Sequence, residues 1–110
     1  DTGDPPEMKS AMAVELGKGP AVKVMDRSVI CTPAVVDALE QAAKDCGVSA
    51  QREILLCGGT DTSALQKARA GVQAGAVSIP TRYIHSPSEL CAVSDVEDAA
   101  KLLAQYALRK

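Results

Sequence analysis

The chain has 110 residues, of which 46% are hydrophobic, and a net charge of −2. This length fits one domain, or one part of a domain, with a modest core. The slightly acidic balance argues against nucleic acid or an anionic membrane surface as a partner, and no apolar run approaches the ~20 residues of a membrane span. The chain has no Phe or Trp and only two Tyr, which favours one part of a larger layered structure over a free-standing domain.

The first part of the chain predicts a loop, two strands and a helix. Residues 1–10 carry two prolines, a glycine and three acids, and we expect them to form an entering loop. Apolar runs at 11–16 and 21–25 predict strands on either side of a Gly-Lys-Gly-Pro turn. The pair Thr32–Pro33 predicts a helix start, because a hydroxyl suits the N-cap and proline suits the first helical position.

The middle of the chain predicts a strand, a helix and a second strand. The apolar run 52–57 is bounded by polar residues and glycines and predicts a buried strand, with Arg52 and Glu53 at a solvated edge. A helix is expected over 60–70, since a glycine follows it. Residues 72–80 predict the next strand, which a proline ends.

The end of the chain predicts a loop over 81–93 and a last helix that opens with a capping box, Ser94 to Glu97. Helices that alternate with short apolar strands indicate an α/β layer with a largely parallel sheet. We therefore expect one α/β unit over residues 11–110.

The cysteines predict a reducing environment. They show no Cys-x-x-Cys spacing and no histidine at zinc-finger spacing, and each lies in or beside an apolar run. We expect buried, reduced thiols in a cytoplasmic protein rather than two disulfides in a secreted one. The polar start of the chain does not resemble a signal peptide. The four residues are Cys31, Cys46, Cys57 and Cys91.

A double-glycine turn, Gly58 and Gly59 followed by Thr60 and Asp61, is the first candidate site. Glycines allow close backbone approach to a ligand, and a helix start presents N–H groups toward negative charge or a carbonyl oxygen. Asp61 could then meet a substrate's amino group. The alternative is a plain strand-to-helix turn in which Thr60 or Asp61 is the N-cap.

His85, the only histidine, is the second candidate. It follows the strand over 72–80, and an imidazole there could bind a metal ion while a neighbour orients its other nitrogen. The alternative is an ordinary surface histidine. Because parallel strands bring their carboxyl ends to one side, we expect Gly58 to Asp61 and His85 at the same edge of the sheet.

Several motifs in the same order resemble one known family. The stretches LGKGPAVKVMDRSVI, GGTD, RAGV and SIPTRYIHSP are similar to the C-terminal part of the tetrahedral metallo-aminopeptidases. These are dodecameric, two-metal exopeptidases that include glutamyl aminopeptidases, and some members are labelled as cellulases. The resemblance runs from about Gly3 to Leu103.

The resemblance implies a three-layer α/β/α fold with a mostly parallel sheet, the C-terminal part of a zinc-peptidase-like catalytic domain. It implies that His85 binds one of two divalent ions, zinc or cobalt, and that Gly58 to Asp61 face the peptide substrate. The remaining ligands and the general base would lie upstream, so this chain would hold no catalytic residue, would be inactive alone, and would belong to a homo-oligomer.

Two other functions fit the residues less well. A non-catalytic α/β module for binding or oligomerisation is supported by the lone histidine and the absence of a complete catalytic set. A cellulase would need two carboxylates flanking a sugar, usually with aromatic platforms, and the chain has no Phe or Trp to supply them.

Overall fold

A computed structural model describes residues 13–109 of the chain. In this range no helix is both long enough and apolar enough to cross a bilayer. The elements in chain order are β1 (Ala21–Met25), α1 (Pro33–Asp45), β2 (Gln51–Ile54), α2 (Thr62–Gln66), β3 (Val77–Ser78), β4 (Thr81–Arg82), β5 (Leu90–Cys91) and α3 (Val93–Ala107).

Strand β1 is the centre of a mixed sheet in the order β2-β1-β3. It pairs with β2 in parallel, and it pairs with β3 in antiparallel orientation with Ala21 opposite Ser78. A separate hairpin joins β4 to β5. The mixed α/β class is as expected, but the mostly parallel sheet is not confirmed, since β1 has one parallel and one antiparallel neighbour.

The core lies between β1 and the two long helices, α1 and α3, which pack on each other. Val22 and Val24 point into it because alternate side chains of a strand share a face. Val36 and Leu39 line the buried face of α1, and Leu102 of α3 is fully buried among them. These helices cover one face of β1, so the three-layer arrangement is not confirmed in the described residues.

The start of α1 is as predicted, but the cap is used differently. Thr32 is the N-cap, and its carbonyl accepts the N–H groups of Val35 and Val36. Its hydroxyl makes no cap bond and instead accepts the N–H of Ala74 at 3.1 Å. The Thr32 N–H in turn donates to the Ala74 carbonyl. The predicted strand over 72–80 therefore begins as a loop bonded to this helix start, and only Val77–Ser78 is strand.

Two further predicted elements are shorter than expected. Strand β2 ends at Ile54 rather than 57, and it is an edge strand with Arg52 and Ile54 exposed rather than a buried strand. Helix α2 ends at Gln66, whose carbonyl accepts the N–H of Val72. The residues between Gln66 and Val72 form a turn that includes Arg69 at a positive φ of 54°.

The segment before β1 is held by side chains rather than by a sheet ladder. Of the strand predicted over 11–16, residues 11 and 12 lie outside the described part, and 13–16 are not strand. The Gln51 amide donates to the carbonyls of Glu15 and Gly19, and its oxygen accepts the N–H of Glu15.

The capping box predicted at Ser94 to Glu97 does not form. Helix α3 begins at Val93, and its N-cap, Ala92, has no side chain that could cap it. Asp95 is fully buried, and its two carboxylate oxygens accept the N–H groups of Gly17 at 2.8 Å and Gly19 at 2.9 Å. The first turn of α3 thus fastens the Gly-Lys-Gly-Pro turn to the core.

Gly19→Ala should lower the free energy of unfolding by about 3 kcal/mol, because two costs combine at this position. The residue has a φ of +94°, and an added Cβ would lie 1.7 Å from the Ser49 carbonyl oxygen. The matched control is Gly17→Ala, where φ is +77° but no atom lies within 4 Å of the added Cβ. Only the backbone cost of about 1 kcal/mol is expected there. Urea denaturation of both variants measures the difference, and equal losses would contradict the role of the close contact.

The cysteines are free, as expected, but only in part buried. Cys31 is buried and Cys46 is half-buried, whereas Cys57 and Cys91 are exposed. The prediction of buried thiols is wrong for the latter two, because the apolar runs beside them lie on an edge strand and a short hairpin. Burial raises the pKa of the Cys31 thiol, which keeps it protonated.

Candidate functional site

A cavity of about 290 Å³ lies where the glycine turn, the end of β3 and the His85 loop meet. The structure therefore brings Gly58, Gly59, Thr60 and His85 together. Asp61 is exposed and does not line this cavity. The lining residues are Lys23, Glu53, Leu55, Gly58, Gly59, Thr60, Ser78, Ile79, Ile84 and His85.

His85 projects from a hairpin that the sequence did not reveal. Residues 81–93 were expected to form a loop, but β4 and β5 pair with Arg82 opposite Leu90 and close it. Tyr83 and His85 both adopt positive φ, 59° and 62°, and the His85 N–H donates to the Glu89 carboxylate at 2.5 Å. Strands of two residues carry too little pattern to be recognised, so this missed element has no clear sequence signal.

The exposed imidazole of His85 could serve as one metal ligand, but the described residues do not complete a site. A catalytic zinc ion needs about three protein ligands. Within residues 13–109, no group of three or more His, Cys, Asp or Glu side chains is placed to hold a metal ion. The donor set of this part of the chain therefore fits one ligand of a metal centre.

The glycine turn is packed against the loop that follows β1. The Arg27 N–H donates to the Gly58 carbonyl at 3.2 Å. A Cβ on Gly59 would lie 2.8 Å from the Ser28 hydroxyl and 3.0 Å from the Ser28 Cβ, so a larger residue would have to displace Ser28. At Gly59, the close backbone approach that was expected for a ligand is therefore made by the loop after β1.

The two polar residues after the glycines differ in their contacts. The Thr60 hydroxyl donates to Asp26 at 2.9 Å. Asp61 takes the N-cap position of α2, but it has helical φ and ψ and makes no side-chain cap bond. The prediction that Thr60 or Asp61 is the N-cap is confirmed, since Asp61 takes this position, although without a side-chain bond.

Asp26 is an important residue of this region that sequence reasoning missed. It is buried, and its Oδ1 accepts the Ser28 N–H and hydroxyl, both at 2.7 Å, and the Val29 N–H at 3.0 Å. Burial alone would raise its pKa, but the bonds from Ser28 and Thr60 and the charge of Lys23 outweigh it and lower the pKa to about 2. Its position directly after a strand was the available signal.

A buried ion pair lies beside Asp26. The Lys23 ammonium is 2.5 Å from a Glu53 oxygen and 3.6 Å from Asp26, and all three side chains are at most 3% exposed. Ser78 donates to the same Glu53 oxygen at 2.8 Å. The expectation that Glu53 is solvated is wrong, whereas Arg52 is exposed and pairs with Glu40. Because neighbouring positions of a strand face opposite sides of the sheet, Arg52 faces away from the side on which Glu53 is buried.

Acid should reveal the contribution of Asp26 to stability. Its folded pKa, about 2, lies below the ordinary value of 3.8, so the stabilisation is complete above about pH 4 and is lost as the pH falls towards 2. The loss should reach about 2 kcal/mol. Urea denaturation between pH 5 and pH 2 measures it, and Asp26→Asn should remove this part of the pH dependence. An unchanged acid slope in that variant would contradict the assignment.

Residues 1–102 match the family described as M42 glutamyl aminopeptidase. The chain belongs to this family. It is 48% identical to an Acetivibrio thermocellus protein that is named as an aminopeptidase. The match extends over 104 residues, which are 94% of this chain and 31% of that protein.

Solved structures agree with this membership. An aminopeptidase of the archaeon Desulfurococcus kamchatkensis matches 99% of the M42 chain with a TM-score of 0.89 and 35% identity, over 31% of its own length. A TET peptidase of Pyrococcus horikoshii, which can assemble into a tetrahedron or a large octahedral shell, matches 88% of the chain with a TM-score of 0.79 and 32% identity, over 28% of its length. The chain thus spans about 30% of the length of these relatives.

Proposed function

We propose that this M42 chain is the C-terminal part of a two-metal aminopeptidase that removes N-terminal residues from peptides. The observation that carries the proposal is the cavity that joins the glycine turn to His85 in a chain of this family. The family supports the peptidase activity, and the cavity supports the location of the site.

In this proposal His85 supplies one imidazole ligand to a centre of two divalent ions, zinc or cobalt. The hairpin between β4 and β5 holds the imidazole at the cavity, and the Glu89 carboxylate fixes the backbone at His85. Ions bound there would polarise the scissile carbonyl and activate a water molecule. The other ligands and the general base belong to upstream segments, so this chain alone is inactive.

The glycine turn forms the substrate side of the proposed site. Gly58, Gly59 and Thr60 line the cavity with backbone and small side chains, which leaves room for a peptide N-terminus. Asp61 lies one residue beyond them and is exposed. A carboxylate there would attract the free amino group of a peptide once the peptide extends along the turn.

The longer protein would complete both the fold and the assembly. A further layer over the face of β1 that carries Lys23 would give the three-layer α/β/α domain. The shell-forming TET relative supports a homo-oligomer, and a dodecamer of cytoplasmic subunits is the form we propose.

Activity of the longer polypeptide with free and blocked peptides tests the proposal. We expect hydrolysis of aminoacyl p-nitroanilides with a free amino group, loss of activity on N-acetylated analogues, and loss on chelation with recovery on adding zinc or cobalt. The 110-residue chain alone should be inactive. A longer polypeptide that folds, assembles and binds zinc, yet hydrolyses none of these substrates, would instead support a non-catalytic binding or oligomerisation module.

A further inference from the structure

The loops after β1 and β2 are joined by the bond from the Arg27 N–H to the Gly58 carbonyl and by one buried carboxylate, Asp26. Asp26 begins the loop after β1 and closes it by accepting three bonds from Ser28 and Val29 on Oδ1. Its Oδ2 reaches across to the other loop and accepts the Thr60 hydroxyl. Since Thr60 immediately follows the two glycines, this bond ends on the turn that lines the cavity.

The carboxylate itself is held by the sheet. Lys23 lies between Asp26 and Glu53, and Ser78 of β3 donates to Glu53. The chain of contacts therefore includes one residue from each strand of the sheet and passes through Asp26 to Thr60. Apart from Thr60, which is exposed, the linked residues are buried or half-buried, and hydrogen bonds to charged partners are strong and geometrically restrictive in such surroundings.

Asp26 does not itself line the cavity. Its oxygens are occupied by Ser28, Val29 and Thr60, and its side chain is fully buried. A direct contact between Asp26 and a substrate would require breaking these bonds. Its influence on the site must therefore pass through the residues that it holds.

We propose that Asp26 is a positioning residue that sets the location of the glycine turn at the cavity through its bond to the Thr60 hydroxyl. The functional consequence rests on the proposed aminopeptidase activity. Under this assignment, the Thr60 side chain orients the turn rather than binding substrate, and Gly58 and Gly59 present the backbone surface that the substrate meets.

Amide hydrogen exchange in the 110-residue chain tests the positioning without reference to activity. Thr60→Val keeps the shape of the side chain and removes only the hydroxyl, and Thr60→Ser keeps the hydroxyl. We expect exchange of the Arg27 amide, which donates to the Gly58 carbonyl, to accelerate about tenfold in Thr60→Val and to stay near wild type in Thr60→Ser, with the amides of α1 unchanged in both. Unchanged exchange of the Arg27 amide in Thr60→Val would overturn the proposal, and so would equal acceleration in Thr60→Ser.

Kinetics of the longer polypeptide tests the consequence. Thr60→Val and Asp26→Asn should each raise KM for an aminoacyl p-nitroanilide about tenfold while kcat changes less than threefold, because a displaced turn weakens substrate binding more than the chemical step. Glu40→Gln, which removes half of an exposed ion pair with Arg52, is the control and should change neither constant.

The two experiments separate the possible failures. If the wild-type polypeptide has no peptidase activity but Thr60→Val accelerates exchange of the Arg27 amide, the proposed function fails and the positioning stands. If the wild type is active but the substitutions lower kcat and leave KM unchanged, Asp26 does not position the turn for substrate binding. The proposal is then overturned. If Asp26→Asn does not fold, the kinetic test is made with Thr60→Val alone. Thr60 is an exposed residue, and its substitution leaves the buried charges paired.

Discussion

His85→Asn in the longer polypeptide should lower kcat roughly a hundredfold or more and reduce the bound metal from two ions per subunit toward one. The reason is that a catalytic centre has few protein ligands, so the loss of one imidazole weakens the affinity and the charge stabilisation together. Asparagine is the appropriate substitute because His85 has a φ of +62°, a conformation that asparagine adopts more readily than alanine. Steady-state kinetics and elemental analysis of the same preparations measure both effects.

Tyr83→Asn is the matched control for that experiment. Tyr83 lies in the same hairpin, has a φ of 59° and is 54% exposed, so it reports any general cost of placing asparagine in this loop. We expect two ions per subunit and turnover within about twofold of the wild type, because Tyr83 is a surface residue that does not line the cavity. A His85→Asn enzyme that keeps both ions and near-normal turnover would contradict the ligand assignment.

Lys23→Met should lower the free energy of unfolding of the 110-residue chain by about 3 to 5 kcal/mol. Methionine has a similar length but no charge, so Glu53 loses its ion pair and Asp26 loses a nearby cation while both carboxylates stay buried. A buried charge without a partner costs much more than an exposed one. Since native domains are stable by only about 5 to 15 kcal/mol, a large part of the total would be lost.

Arg52→Met is the control, because it breaks an ion pair of the same kind at the surface. The Arg52 side chain is 64% exposed and pairs with Glu40, so little or no change in the free energy of unfolding is expected. Adding Glu53→Gln to Lys23→Met should recover part of the loss, since it neutralises the carboxylate left without a partner. Urea denaturation measures all three variants, and equal effects of Lys23→Met and Arg52→Met would contradict the buried pair.

Elements with strong local patterns could be predicted from the sequence. The apolar run at 21–25 is strand β1, and the Thr32–Pro33 pair marks the start of α1. The order of motifs also indicated the family to which the chain belongs. These predictions succeed because propensity, apolar periodicity and capping act over a few neighbouring residues, so the sequence itself contains their cause.

Of the residues predicted for the candidate site, Gly58, Gly59, Thr60 and His85 line one cavity, whereas Asp61 does not. The motifs indicated the glycine turn and His85, and the structure places both at one cavity. The roles of these residues stay predictions. The buried charges nearby, Lys23, Asp26 and Glu53, were missed. A charged residue in or directly after a short strand is expected to be solvated until its partners are known.

The sequence by itself determined the family, the central strand and the helices that form the core, since each depends on local pattern or on motifs in order. The tertiary structure alone decided which charges are buried, where the turns are fastened and how the sheet is paired. Asp95 accepts from Gly19 across 76 positions, and Asp26 from Thr60 across 34. Such bonds exist only after the core has brought distant segments together, and a buried polar group then keeps its place because leaving it unpaired costs free energy.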